Sequence, residues 1–277
     1  MKSGIYLPPF DELADPRTVA ALAADAEQAG WDGFFVWDHM LAEPGMAVAD
    51  AWTTLAAMAS ATSEIRLGAL VTPLARRRPW TLARQIASLD HLCGGRLVAG
   101  IGLGDDGWRE FSAFGEEKIP RRRGELLDES LDVLLALLSG NGASYRGSHL
   151  VIDSPPLLPA PVQDPVPIWA ACRWPYRKPL ARAARVQGCF PIFAGTGPLA
   201  FGSAEVREVR AELERLGAPR SHDMVVCGAT RKVSAERRED FAAQMLDAGV
   251  TWLLEAFGPG VRLAEVADTI QAGPPAG

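Results

Sequence analysis

An acid followed by a histidine, Asp38-His39, ends the most apolar run of the chain, Gly33-Phe34-Phe35-Val36-Trp37. A carboxylate beside an imidazole suffices for proton transfer near neutral pH, since an unperturbed imidazole titrates at about 6.5. The same pair also fits a plainer role, with Asp38 capping the next element and His39 at the surface. The other residues with chemical capacity share that position at the end of a short apolar run. They are Val71-Thr72-Pro73, then Gly100, Gly102, Gly104 and Asp105, then Cys172-Arg173-Trp174. Gly195-Thr196-Gly197, Thr230-Arg231 and Glu255 complete the set, with Glu255 as a candidate second acid or base.

This inventory excludes several reactions. The four lysines (Lys2, Lys118, Lys178 and Lys232) end no strand, which argues against a Schiff base. The histidines His39, His91, His149 and His222 form no ligand pair, so no metal site is expected. There is no Gly-x-Ser-x-Gly elbow. A histidine, a few acids, arginines, aromatics and small residues at strand ends suit a flat, anionic cofactor. Glycines admit a ring close to the backbone, and arginine with helix-start amides holds phosphate.

A repeat of strand and helix must position these residues. Ser3–Leu7 reads as a strand, and Asp15-Pro16 joins an N-cap to proline at the first helical position. Val19, Leu22, Ala23 and Ala26 then recur at helical spacing until Gly30. The run into Asp38-His39 is the second strand, and a second helix starts near Asp50. Further strands are predicted at Ile65–Thr72, Arg96–Gly102, Pro167–Cys172, Cys189–Phe193, Met224–Ala229 and Thr251–Phe257, each with a helix behind it. Between the fourth and fifth, the rhythm gives way to a loop over Leu103–Pro120, a leucine-striped helix over Gly124–Leu138 and a small hairpin at Tyr145–Leu150. Eight strand–helix units in one chain predict a single-domain (β/α)8 TIM barrel, an α/β fold, spanning 1–271 with an insertion after strand four. The alternative is an open doubly wound sheet. Its support, Gly100-Ile101-Gly102-Leu103-Gly104, lacks glycine at the sixth position, where Asp105 stands. The Pro/Gly-rich residues Ala272–Gly277 are expected to be a disordered tail.

Composition narrows the setting. A net charge of −6 argues against nucleic acid or an anionic membrane as partner. No apolar run is long enough to cross a bilayer, and the N-terminus lacks a signal-peptide pattern. Cys93, Cys172, Cys189 and Cys227 are widely spaced, as expected of reduced thiols in a cytoplasmic protein.

Several segments in order resemble the bacterial luciferase-like monooxygenase superfamily, whose barrels bind FMN or the deazaflavin F420. They are Gly30-Trp31-Asp32-Gly33 through Asp38-His39, and Ile65-Arg66-Leu67-Gly68 with Val71-Thr72-Pro73. Arg78-Pro79 and Leu89-Asp90-His91-Leu92-Cys93-Gly94-Gly95-Arg96, leading into Gly100-Ile101-Gly102, extend the match. Pro161-Val162-Gln163, Pro167-Ile168-Trp169 and Arg182-Ala183-Ala184-Arg185 carry it through most of the chain.

The resemblance implies that His39 lies near the reactive edge of an isoalloxazine-type ring. It implies a bulge at Leu70–Val71, with a non-proline cis peptide, backing that ring, and a cofactor phosphate near Ala171, Cys172 and Arg173. Thr72, Gly100, Gly102 and Thr196 join the expected cofactor-binding set. Two departures stand out: Ala-Ala-Cys-Arg-Trp-Pro replaces a glycine-rich loop after strand five, and Cys93 replaces a usual serine. The arginine runs Arg76–Arg78 and Arg121–Arg123 are expected to be solvated. The implied activity is F420-dependent hydride transfer to or from a small organic substrate. The alternatives are an FMN-dependent monooxygenase fed by a separate flavin reductase, and a non-catalytic flavin-binding protein. A homodimer is the expected assembly.

Overall fold

A computed structural model describes residues 1–195 and 197–275. Eight parallel strands close into a barrel: β1 (Lys2–Leu7), β2 (Gly33–Val36), β3 (Arg66–Pro73) and β4 (Leu97–Gly102), followed after a small hairpin by β7 to β10. The hairpin strands are β5 (Ala143–Arg146) and β6 (Val151–Ser154), which pair antiparallel outside the barrel. The remaining barrel strands are β7 (Ile168–Arg173), β8 (Gly188–Ile192), β9 (Asp223–Gly228) and β10 (Trp252–Ala256), and β10 pairs with β1 to close the ring. The (β/α)8 barrel is therefore the fold.

Eight helices accompany the strands: α1 (Pro16–Gln28), α2 (Ala51–Ala61), α3 (Pro79–Leu92), α4 (Pro120–Leu138), α5 (Arg177–Ala183), α6 (Ser203–Arg215), α7 (Ala235–Asp247) and α8 (Leu263–Gln271). The caps are those the sequence predicts. Asp15 accepts from the Arg17 amide ahead of Pro16, and Asp50 accepts from the Thr53 amide at the start of α2. Helix α4 begins four residues earlier than its leucine stripe, at Pro120. Of the tail, Ala272 closes α8 with its amide on Asp268, while 276 and 277 lie outside the described residues. Among the described residues no helix is long and apolar enough to cross a membrane.

Strand alternation divides the core into two layers. Phe34 packs outward among the helices, whereas Phe35 enters a barrel interior shared with Leu70, Val98, Trp169, Phe190, Val225, Trp252 and Leu254. The rings of Phe35, Trp169 and Trp252 lie 5.2–5.7 Å apart. Such bulk fits because Gly33 lies beside them: a Cβ there would fall 2.6 Å from the Phe35 ring and 2.8 Å from Trp252. The lower barrel is thus filled.

Candidate active site

The chain leaves the strand register early on β2, at Val36, so Trp37, Asp38 and His39 continue over the barrel mouth. On β3 the pairing with β4 jumps between Ala69 and Thr72, and the Leu70–Val71 peptide is cis. The two strands approach so closely here that a Cβ on Gly100 would lie 2.2 Å from the Ala69 carbonyl oxygen. A Cβ on Gly102 would lie 2.4 Å from Val71. The two glycines therefore admit the bulge, and the bulge turns Leu70 and Val71 toward the mouth. The Tyr6 hydroxyl donates to the Leu70 carbonyl at 2.8 Å and fixes it.

The result is a cavity of ≈ 430 Å³ with Leu70, Val71, Ala171 and Phe190 on its floor and walls. Asp38, His39 and Glu110 line it together with Arg123, Arg173 and Arg182. His39 is packed by aromatic rings, with centroids of Trp108 at 4.9 Å, Trp37 at 5.6 Å and Phe10 at 5.9 Å. Its Nδ1 lies 2.7 Å from Glu110 Oε2. An ionised carboxylate only accepts, so Nδ1 carries the proton and Nε2 is left to the cavity.

Glu110 is the hub of a buried ion network. Its Oε1 accepts from Arg76 Nη1 at 2.8 Å and from the Met40 amide at 2.5 Å. Arg76 Nη2 also donates to Asp38 Oδ1 at 3.0 Å, and Arg77 Nη2 donates to both Asp38 oxygens. Burial works to raise the Glu110 carboxyl, but the His39 imidazole, the Met40 amide and Arg76 outweigh it and hold it below the usual carboxylate range. A carboxyl depressed on folding contributes fully above its unfolded value, about 4.3, and loses that contribution as pH falls through the folded value. Wild-type protein should therefore lose stability more steeply than Glu110→Gln below about pH 4.3. Denaturant melts between pH 6 and pH 3 read the difference, and parallel curves would refute it.

Three arginines, Arg123, Arg173 and Arg182, also line the cavity. Arg123 stands in the first turn of α4, is 3% exposed, and lays its guanidinium 4.3 Å over the Phe111 ring. Its Nε and Nη1 are buried with no hydrogen-bond partner among the described residues. Arg182 is held by Asp128 and by the Gly124 carbonyl beside it. A buried arginine with unused donors has the chemistry to hold an anion.

The expected residues divide accordingly. Asp38, His39, Leu70, Val71, Ala171 and Arg173 meet at the cavity. Five do not. Thr72 is fully buried on the other side of β3, where it accepts from Trp52 Nε1, and Gly100 and Gly102 serve the bulge. Cys172 faces outward against Cys189, with 2.8 Å between sulfurs. Glu255 is consumed by Thr230 and Arg231 behind the barrel wall and does not line the cavity. Thr196 lies outside the described residues. The basic runs also need correction: the Arg76 side chain is 4% exposed rather than solvated, and Arg123 is buried although Arg121 and Arg122 are exposed.

The family model of luciferase-like monooxygenases matches residues 1–273. The chain belongs to that family. Within the luciferase-like family, it is 29% identical over 214 residues to an F420-dependent glucose-6-phosphate dehydrogenase of Nakamurella multipartita, covering 74% of this chain and 60% of that one. It is 32% identical over 169 residues to an uncharacterised protein of Mycobacterium bovis, covering 54% of this chain and 59% of that one. The chain thus spans about 60% of the length of these curated relatives. Among solved structures, an F420-dependent secondary alcohol dehydrogenase in complex with an F420–acetone adduct superposes with a TM-score of 0.78 at 16% identity, covering 99% of this chain and 98% of that one. The monooxygenase RslO1 of Streptomyces bottropensis gives 0.76 at 21%, covering 98% and 97%. At such identities these likenesses establish the shared barrel.

Proposed function

We propose that the protein is an F420-dependent oxidoreductase that moves hydride between the deazaflavin and a small organic substrate, with His39 as the acid–base group. The observation that carries the reading is one cavity lined both by a carboxylate-oriented imidazole and by a buried arginine with two unpartnered nitrogens. The residues fit the group. The apolar bulge of Leu70 and Val71 offers a flat backing to a ring, and Arg123, with Arg173 and Arg182, would hold the anionic tail. When bound, the deazaflavin supplies a carbon centre that takes or gives hydride.

The chain's own residues do the rest. His39 Nε2 takes a proton from a substrate hydroxyl, or returns one to a carbonyl, as hydride leaves or arrives at the neighbouring carbon. Glu110 fixes the ring and stabilises the imidazolium that forms, and Trp108, Trp37 and Phe10 keep the pair partly shielded from water. The F420-dependent relatives among the most similar curated sequences support deazaflavin over FMN.

Fluorescence titration of the ligand-free protein tests this directly. F420 should bind with micromolar or tighter affinity, FMN more weakly, and NAD not at all. Preference for FMN would favour a two-component monooxygenase, and binding of neither would end the reading.

A further inference from the structure

The network around His39 is neutral as built. Two carboxylates, Asp38 and Glu110, face two guanidiniums, Arg76 and Arg77, and three of the four side chains are at most 4% exposed. His39 is the one member whose charge can change near neutral pH. The two arginines are not equivalent, since Arg77 touches Asp38 alone whereas Arg76 bridges Asp38 and Glu110.

We propose that Arg76 is a positioning residue that sets the proton affinity of His39 by sharing Glu110 with it. The geometry splits the carboxylate cleanly, with Oε1 taken by Arg76 and the Met40 amide and Oε2 by His39 Nδ1. While Arg76 neutralises Glu110, the imidazole need not be charged to balance it. Without Arg76 the cluster carries one uncompensated buried negative charge, and the nearest group able to cancel it is His39. Removing the arginine would convert a base available to substrate into an imidazolium locked to Glu110.

Other charges face this cluster from several elements. Asp105 and Arg109 lie on the segment after β4, Arg123 on α4, and Glu116 approaches Arg76 from behind. Tyr6 of β1 is spoken for by Leu70. Among the described residues Glu110 is the one hydrogen-bonded to His39, so the path from Arg76 to the imidazole is a single carboxylate. The catalytic consequence rests on the reading of His39 given above, but the electrostatic claim stands without a cofactor.

The test is the His39 imidazole titration, followed by NMR in the ligand-free protein and assigned by its loss in His39→Asn. Arg76→Gln should raise the midpoint by about one pH unit, the scale of a close charge partner. Arg76→Lys keeps the charge but reaches one carboxylate only, and should move it up by about half as much. Arg77→Gln, which leaves Glu110 paired, should shift it far less. A midpoint unchanged in Arg76→Gln, or an equal shift in Arg77→Gln, overturns the proposal. If Arg76→Gln does not fold, an unchanged midpoint in folded Arg76→Lys does the same. Should the midpoints move as expected while His39→Ala retains turnover, the functional reading fails and the electrostatic one survives.

Discussion

Replacing His39 by alanine should cost roughly 10²–10⁴ in turnover and leave cofactor binding largely intact. The imidazole follows β2 and pairs with Glu110, whereas Arg123, Arg173 and Arg182 stand on α4, β7 and α5. Removing it deletes the proton acceptor and frees one oxygen of Glu110. It creates no void in the barrel interior, because His39 stands beyond the end of β2. Cofactor affinity, melting temperature and single-turnover rate on one preparation separate the outcomes. Binding retained with chemistry lost supports the assignment. Near-normal turnover would make His39 structural, and unfolding would place it in the core.

Arg123→Met should trade binding for stability. In the ligand-free protein the guanidinium carries two buried nitrogens without acceptors, and buried donors left unpaired cost about 1–3 kcal/mol each. Methionine fills similar space beside Phe111 with no such cost, so the melting temperature should rise. A charge-assisted bond to an anion is worth about 1.5–3 kcal/mol, so affinity for F420 or FMN should fall roughly ten- to hundredfold. Calorimetric titration alongside thermal melts measures both. An unchanged affinity would move the anion site elsewhere, and a lower melting temperature would mean that Arg123 is satisfied in solution.

The barrel was legible because its signals are local. Alternating apolar runs, Asp15-Pro16 and Asp50 as caps, and glycine stops all act within a few residues. Asp38 and His39 were legible for the same reason, as the end of a readable strand. Glu110 was not, since it lies in the aperiodic segment after β4, and no spacing rule ties that position to His39. Arg109 between Trp108 and Glu110 adopts φ 62°, an uncommon backbone for arginine that no local residue pattern announces. Each basic run mixes buried and exposed arginines, a difference that three consecutive like residues conceal. Helical spacing singles out Arg123, which shares a buried face with Leu127, Leu131 and Leu134. Glu255 failed differently: its acid was visible, but the Thr230 and Arg231 groups that saturate it depend on the packing of β9 against β10.

The placement of Glu110 on a loop, rather than on a strand, has a practical corollary for redesign. Its contacts run to the Met40 amide, His39 and Arg76, so a graft of residues 103–119 from another barrel would have to return a carboxylate to that one spot. Most of the stretch from Gly107 onward, Gly107, Arg109, Phe114, Gly115, Glu116 and Lys118 among them, is not buried and owes the barrel little. A library that randomises the exposed Ala113, Phe114 and Lys118 while holding Trp108, Glu110, Phe111 and the left-handed Gly115 (φ 71°) fixed would vary the loop surface and leave the His39–Glu110 contact in place.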